Sequence, residues 1–447
     1  MTTSNNYPTV TIVGAGLAGS EAAYQLVRRG IPVRLVEMRP LKHSPAHVTD
    51  GFAELVCSNS LKAAQLSNAS GLLKEEMKLF GSLVLKAAYR AQVPAGGALA
   101  VDRTEFSRII TETLTNHPLC EVVHEVVNEI PDSPCIIATG PLTDDGLAEA
   151  IQKLPGMNAL HFFDAEAPIV TAESIDMTKA FKASRYDKGD GDDYINCPMT
   201  QEEYMRFYNA LITAELADVH DFEKKLVFEG CLAVEILAGR GPMTLAFGPL
   251  KPVGLTDPHT GRRPFAVVQL RQDNASATQY NIVGFQTRLK WGEQKRVFGM
   301  IPGLENAQFA RYGVMHRNTY LDSPKVLDEN YALKGDPYLC FAGQMTGVEG
   351  YMESAASGMT AAIALAQRLM GKDEPHFAPQ TILGALVRHT VTETGDFEPM
   401  NSNFGILDPL DEKIKNKKER YEKLSARSLE IMKKTISEYG LLDNTEE

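Results

Sequence analysis

The sequence predicts an α/β fold in which a Rossmann-like dinucleotide-binding domain, split in the chain, carries an inserted α+β domain. Three observations predict it. Residues 10–37, VTIVGAGLAGSEAAYQLVRRGIPVRLVE, join an apolar run, a Gly-x-Gly-x-x-Gly turn, a helix-like segment and a second apolar run ending on Glu37. Together these make one βαβ unit. A second strand–glycine–helix pattern, LCFAGQMTGVEGYMESAASG, appears at 339–358. Between the two the chain changes character, being charged and loop-like over 175–225 and alternating over 265–285. The expected divisions are therefore 1–170 and 325–447 for the split domain and 171–324 for the insertion.

Taken in order, the run Val10 to Val13 enters a turn in which each glycine has its own task. Gly14 permits the tight bend, Gly16 lets the backbone approach a pyrophosphate, and Gly19 lets helix and strand pack closely. The turn Gly14, Ala15, Gly16, Leu17, Ala18, Gly19 opens a helix whose free N–H groups can face an anion. Glu37 ends the second strand, where a carboxylate accepts hydrogen bonds from ribose hydroxyls. Residues 70–91 read as one helix, with Leu72, Leu73, Met77, Phe80, Leu83 and Val84 among Lys and Glu. Asp102 and Glu105 have the spacing of a capping box and open a helix over 103–116. Strands follow at 120–130 and 134–138, the second ending in Ala138-Thr139-Gly140. DKGDGDD at 187–193 reads as a loop, and Phe265–Leu270 with Tyr280–Phe285 as antiparallel strands. Tyr338–Ala342 is a strand again, followed by Gly343 and a small-residue helix through Gly371.

The second crossing selects FAD over NAD. In a split FAD-type domain the flavin contacts come from a distant strand–glycine–helix. A helix beginning near Gly347 would set its positive end against the pyrimidine edge of the ring. Thr139, Gly140, Gly343 and Gln344 thus join Glu37 and the glycine turn as expected cofactor-binding residues. No second Gly-x-Gly-x-x-Gly with its own strand and acid occurs, so no separate NAD(P)H domain is expected. Helix–helix packing through small residues is the alternative reading of 339–358.

With 447 residues the chain has room for two domains. No apolar run approaches the ~20 residues that span a bilayer, and MTTSNNYP lacks the pattern of a signal peptide. The six cysteines show no CxxC spacing, so neither a metal site nor a disulfide framework is expected. Reduced thiols in a cytoplasmic protein fit that usage. The net charge of −12 argues against a nucleic-acid partner. Locally the balance reverses: residues 413–427 hold seven basic and two acidic side chains, and 286–296 hold four and one. Such runs can form an RNA track on an acidic protein, a solvated helix face being the alternative.

Many strings in this chain closely resemble those of one family. They include GAGLAGSEAA (14–23), FAELVCSNSLK (52–62), VPAGGALAVDR (93–103), ATGPLT (138–143), FEGC (228–231), VVQLRQD (267–273) and FAGQMTGVEGY (341–351). The family is that of the folate- and FAD-dependent tRNA uracil-C5 methyltransferases, called TrmFO and formerly Gid. The resemblance runs from Val10 to about Tyr421. A longer flavoprotein that modifies the wobble uridine of tRNA is a more distant likeness. The resemblance implies transfer of a one-carbon unit from 5,10-methylenetetrahydrofolate to C5 of uridine 54 in the tRNA T-loop. It further implies FAD as carbon carrier and reductant, restored by NADH or NADPH.

That chemistry needs a thiolate to add at C6 of uracil, so that C5 becomes nucleophilic, and a base to remove the C5 proton. The resemblance carries a catalytic cysteine pair onto Cys57, in the polar loop LVCSNS, and Cys231, after Glu229-Gly230. We assign Cys231 as nucleophile and Cys57 as base, an order the residues alone do not decide. By spacing alone either is more often an ordinary buried cysteine. Cys120, Cys135 and Cys340 lie in apolar runs and read as core, while Cys197 stays open. His316-Arg317-Asn318 could meet an anion or form a structural cluster. Gln344 and Glu349 could touch the flavin or cap a helix. Trp291 reads first as a hydrophobic anchor, with base or pterin stacking second. Alternatives to the implied function are the same chemistry on a ribosomal RNA uridine, a thiol–flavin oxidoreductase, and a non-catalytic flavin-bearing RNA-binding protein.

Overall fold

The computed structural model describes residues 7–157, 159–165, 167–187, 191–217, 232–392 and 397–442, with backbone alone at 159–165, 187 and 315–318. Its first sheet, with strands numbered in chain order, contains β1 (Val10–Val13), β2 (Val33–Glu37), β6 (Cys120–His124), β7 (Cys135–Ile137), β16 (Ala332–Leu333) and β17 (Asp336–Phe341). Their order is β16-β17-β7-β1-β2-β6, parallel except for the edge strand β16. A parallel sheet is covered on both faces, which is why these short runs are almost wholly apolar. One covering pair is α1 (Leu17–Val27) and α11 (Tyr351–Leu369). They cross so closely that a Cβ added at Gly358 would lie 2.2 Å from the Ala18 carbonyl oxygen. The small residues of both crossings thereby bring two glycine turns, distant in sequence, side by side.

The segment read as one helix over 70–91 is two, α2 (Ala69–Lys78) and α3 (Leu83–Arg90). Gly81 takes φ +67°, and Ser82 caps the second helix by accepting from the Leu85 N–H at 3.3 Å. The break is fixed from elsewhere in the chain. Glu21 of α1, fully buried, accepts from Ser82 Oγ at 2.8 Å and from the Val84 N–H at 2.9 Å. No local periodicity carries that contact. By contrast α4 (Arg103–Thr115) begins where the spacing predicts, with Asp102 accepting from the Glu105 N–H at 3.0 Å. A small antiparallel sheet joins β3 (Ser60–Ala63), which precedes α2, to β4 (Gln92–Val93) and β5 (Ala98–Val101), which lie between α3 and α4 in the chain. Helices α5 (Asp145–Gln152), α10 (Ser323–Val326), α12 (Ile382–Val391) and α13 (Lys417–Tyr439) complete this half. Buried Glu76 accepts from the Ile382 and Leu383 N–H groups at 2.9 and 2.8 Å, capping α12 from α2.

The second sheet comprises β9 (Ile169–Thr171), β10 (Phe181–Lys182), β11 (Tyr194–Met199), β12 (Ala266–Gln272), β13 (Gln279–Ile282) and β14 (Phe309–Arg311). Its order is β10-β11-β12-β13-β9-β14, all antiparallel. Helices α6 (Gln201–Ile212), α7 (Val234–Gly239), α8 (Thr244–Phe247) and α9 (Trp291–Phe298) belong to this half. The pair β8 (Ala159–Ala165) and β15 (Met315–Leu321) runs antiparallel where the chain passes between the halves. Each half has its own apolar core, one from residues 10–157 with 321–441 and the other from 170–307. No helix among the described residues is long and apolar enough to cross a membrane.

Candidate active site

At the carboxyl ends of β1, β2 and β7 lies a cleft enclosing about 1100 Å³, including the part open to solvent. Val13, Gly14, Gly16, Glu37, Thr139, Gly140, Gly343, Gln344 and Tyr351 are in its wall. The glycine turn has the sterics of a dinucleotide site. At Gly14 (φ +99°) a Cβ would sit 2.6 Å from the Ala138 carbonyl oxygen, and at Gly19 1.8 Å from that of Gly14. At Gly16, which faces the cleft, a Cβ would meet no protein atom within 4 Å. Two glycines are demanded by the protein's own packing; the third leaves room for a ligand.

Glu37 has more partners than its sequence position reveals. One oxygen accepts from the Ala15 N–H at 2.8 Å, the other from Arg39 Nε at 2.9 Å and the Arg39 N–H at 3.1 Å. Burial opposes its charge, but Arg39's hydrogen bond and field outweigh it and hold the carboxyl below its usual range. Arg39 is itself buried and also pairs with Glu54 at 3.3 Å. Beside this group, burial and then the Arg39 charge push His47 down to about 4. The cleft therefore presents an ordered carboxylate whose less occupied oxygen keeps one lone pair for a hydroxyl, next to a neutral imidazole. Sequence reading missed Arg39, although it stands two residues after Glu37.

The far end of the cleft is built by the second crossing. Gly343 and Gln344 line it as expected, but α11 begins at Tyr351, not near Gly347. A 3₁₀ turn, Gln344–Thr346, and two left-handed glycines, Gly347 and Gly350, intervene. Gln344 donates to Glu349. Tyr351 lines the cleft and its hydroxyl accepts from the Cys57 and Ser58 N–H groups at 2.7 and 3.2 Å. Cys57 is half-buried, adjoining the cleft residue Val56, and its loop meets the cleft at Tyr351. Cys231 lies outside the described residues.

The Cys57 loop is clamped by Arg103, at the start of α4, and by Arg271, on β12 of the second sheet. Arg103 donates to the carbonyls of Leu55 (2.5 Å) and Cys57 (3.2 Å) and pairs with Asp273 at 3.0 Å. Arg271 donates to Asn59 Oδ1 at 2.9 Å and Ser58 Oγ at 2.6 Å. Asn59 in turn donates to the Gln272 carbonyl at 2.8 Å. These residues stand in the strings VDR and QLRQD, but nothing in their spacing indicates that they meet Cys57. The other described cysteines are buried. Burial pushes Cys120 up to about 11 and Cys135 and Cys197 up to about 12, so all three are inert thiols, Cys197 included.

The peripheral candidates fare unevenly. Trp291 is 61% exposed, so it is no buried anchor; it stacks on Tyr312 at 5.3 Å, and Tyr312 on Phe309 at 4.9 Å. In the 286–296 run Lys290 pairs with Glu215 and Arg296 with Glu293. In the 413–427 run Lys423 pairs with Glu412, and Arg427 donates to the Asp408 and Pro409 carbonyls. The side chains of His316, Arg317 and Asn318 lie outside the described residues. Among the described residues no three His, Cys, Asp or Glu side chains cluster as metal ligands would.

Fold and site together define a dinucleotide-binding protein of the flavoprotein type with a cysteine loop at one end of its cofactor cleft. The family model described as glucose inhibited division protein A matches residues 9–373. Proteins named methylenetetrahydrofolate--tRNA-(uracil-5-)-methyltransferase TrmFO from Staphylococcus haemolyticus and Acetivibrio thermocellus are each 58% identical to this chain. Each match covers 96% of this chain and 99% of the relative. The chain belongs to the TrmFO family. The crystal structure of Aquifex aeolicus GidA (form II) shares the fold, with a TM-score of 0.71 at 15% identity, over 98% of this chain and 74% of that one.

Proposed function

We propose that this protein methylates C5 of uridine 54 in the T-loop of tRNA, taking the carbon from 5,10-methylenetetrahydrofolate. Membership of the TrmFO family supports the reaction. The observation that carries it to this site is the Cys57 loop at the Tyr351 end of the cleft. The cleft fits FAD: open space at Gly16 for the pyrophosphate, Glu37 for the ribose, and Gly343, Gln344 and Thr139 beyond. When bound there, FAD supplies the carrier and reductant for the one-carbon unit, with NADH or NADPH as the source of electrons.

The chain's own residues prepare the pyrimidine. Cys231 adds through sulfur to C6, moving electron density to C5; once C5 has bonded to the one-carbon unit, Cys57 removes the C5 proton and the C6–S bond breaks, returning the electron pair to sulfur. Tyr351, Arg103 and Arg271 hold the Cys57 loop in place for that proton transfer. A base inside a folded T-loop must leave its stack to enter the cleft. The exposed lysines of 413–427 and 286–296 would guide the RNA through its phosphates. In this reading residues 1–170 and 325–447 carry the cofactor, and 171–324 supply Cys231 and the Arg271 contacts to the Cys57 loop. The reduced thiols it requires fit the cytoplasm.

Mass spectrometry of tRNA nucleosides after incubation with methylenetetrahydrofolate and NAD(P)H tests the reading, with 5-methyluridine the expected product. On RNA carrying 5-fluorouridine, which cannot release its substituent as a proton, a covalent protein–RNA adduct should accumulate. Cys231→Ala should abolish that adduct; its loss in Cys57→Ala alone would exchange the two roles. Full methylation by the double variant would defeat the mechanism.

A further inference from the structure

Among the described residues Arg271 is a buried cation without a carboxylate of its own. It is 7% exposed, and among the described residues its hydrogen bonds go to two neutral side chains, Asn59 and Ser58. The carboxylate placed to serve it, Asp273, is engaged by Arg103 through both Nε (3.2 Å) and Nη2 (3.0 Å). Two guanidinium groups thus share one carboxylate. A buried charge left uncompensated is costly, so it is retained where a further negative charge completes the group. Both hydrogen-bond partners of Arg271 lie within two residues of Cys57 in sequence, and the Cys57 sulfur lies within the electrostatic reach of both arginines.

Among the described residues, the charged and titratable groups named next do not supply that negative charge. Tyr351, on α11, has its phenol pushed up by burial and stays neutral. Tyr194, the cross-strand neighbour of Arg271 on β11, is likewise pushed up by burial, and its hydroxyl donates to the Ala95 carbonyl. Glu54, on the loop's own N-terminal side, is occupied by Arg39. Asp193 accepts from the Gly96 N–H at 2.7 Å.

We propose that Arg271 is the positioning residue for Cys57, fixing its loop through Ser58 and Asn59 and providing the uncompensated positive charge that a Cys57 thiolate neutralises. This rests on the reading of Cys57 as part of the working thiol pair, and it adds how one half of the molecule readies a thiol carried by the other. The field favours the anion by the ordinary rule for reactive cysteines beside guanidinium groups. Loss of Arg271 should therefore make the sulfur a poorer nucleophile at neutral pH without moving the loop's carbonyl contacts to Arg103.

The test is the pH dependence of iodoacetamide alkylation, read at the Cys57 peptide by mass spectrometry in the FAD-loaded protein. Arg271→Gln should move the titration midpoint upward, slowing alkylation at pH 7 by about ten-fold for each unit moved. Arg271→Lys, which keeps the charge but not the two-point geometry, should restore most of the rate. A purely structural role would move both variants alike and leave the midpoint where it was, and that result overturns the proposal. Should Arg271→Gln fail to hold FAD, Ser58→Asp sets a carboxylate against the guanidinium. A raised midpoint in that variant supports the proposal and an unchanged one overturns it. Cys57→Ala assayed for methylation separates the two levels: an active variant removes the catalytic reading, while the alkylation midpoint still decides the role of Arg271.

Discussion

Alanine at Gly16 and at Gly19 should have opposite consequences, although both glycines belong to one motif and one helix start. At Gly19, inside α1, intrinsic preference favours alanine by about 1 kcal/mol. Geometry forbids it: the new methyl would sit 1.8 Å from the Gly14 carbonyl oxygen and 3.3 Å from Ala138 Cβ. Relief requires α1 to move off β1 by more than an ångström, and overpacking of that kind costs roughly 1–3 kcal/mol or more. The FAD-free protein should therefore still lose up to about 2 kcal/mol after the gain in propensity is subtracted. At Gly16, the N-cap of α1 with φ −72°, alanine suffers neither strain nor contact. Its stability cost is that of a poorer N-cap, about 1 kcal/mol. Its methyl instead enters the space left for a pyrophosphate and should weaken FAD by roughly five- to hundred-fold, an overpacking cost of 1–3 kcal/mol. Urea unfolding of the FAD-free proteins and titration with FAD separate the two effects. Equal destabilisation by both substitutions, or unimpaired FAD binding by Gly16→Ala, would refute the argument.

Three further outcomes follow from the same geometry. Glu37→Gln should destabilise the FAD-free protein by about 3 kcal/mol, because it strips the buried Arg39 of one of its two carboxylates; unfolding without cofactor detects this apart from any change in FAD affinity. Folded His47 holds its proton less tightly than the unfolded chain, about 4 against 6.5, so its contribution is complete above pH 6.5 and is lost as pH falls toward 4. The change amounts to no more than about 3 kcal/mol, and stability measured across that range should flatten in His47→Gln. Replacing Lys415, Lys417 and Lys418 by glutamine should reduce the salt dependence of tRNA binding by roughly 0.7–0.9 for each phosphate no longer neutralised, with FAD content unchanged. An unchanged slope returns that run to a solvated helix face.

The sequence by itself determined the βαβ unit, the second crossing at 343 and the α4 cap. In each, the deciding signals fall within a few residues: an apolar run, a glycine that must bend, an Asp three residues before an N–H. The same locality explains why Glu37 was legible as the terminal acid, since its place follows from the end of β2. Family strings carried Cys57 and Cys231 into view where composition and spacing had left both as plain cysteines.

Only the tertiary structure decided the rest. The helix expected over 70–91 breaks because Glu21, on α1, captures Ser82 and the Val84 N–H. The helix expected from Gly347 starts at Tyr351, after two glycines with positive φ. Trp291 is an exposed stacked ring because Tyr312 and Phe309, from the next edge of the sheet, complete a column beneath it. Arg271 meets the Cys57 loop only because β12 of one half is laid against a loop of the other, and Arg103, at the start of α4, reaches the same loop across the fold while pairing with Asp273. Such contacts join residues separated by dozens to hundreds of positions. Hydrophobic periodicity records which face of an element is buried, but not what it is buried against, and the chemistry of this site lies in the second of these.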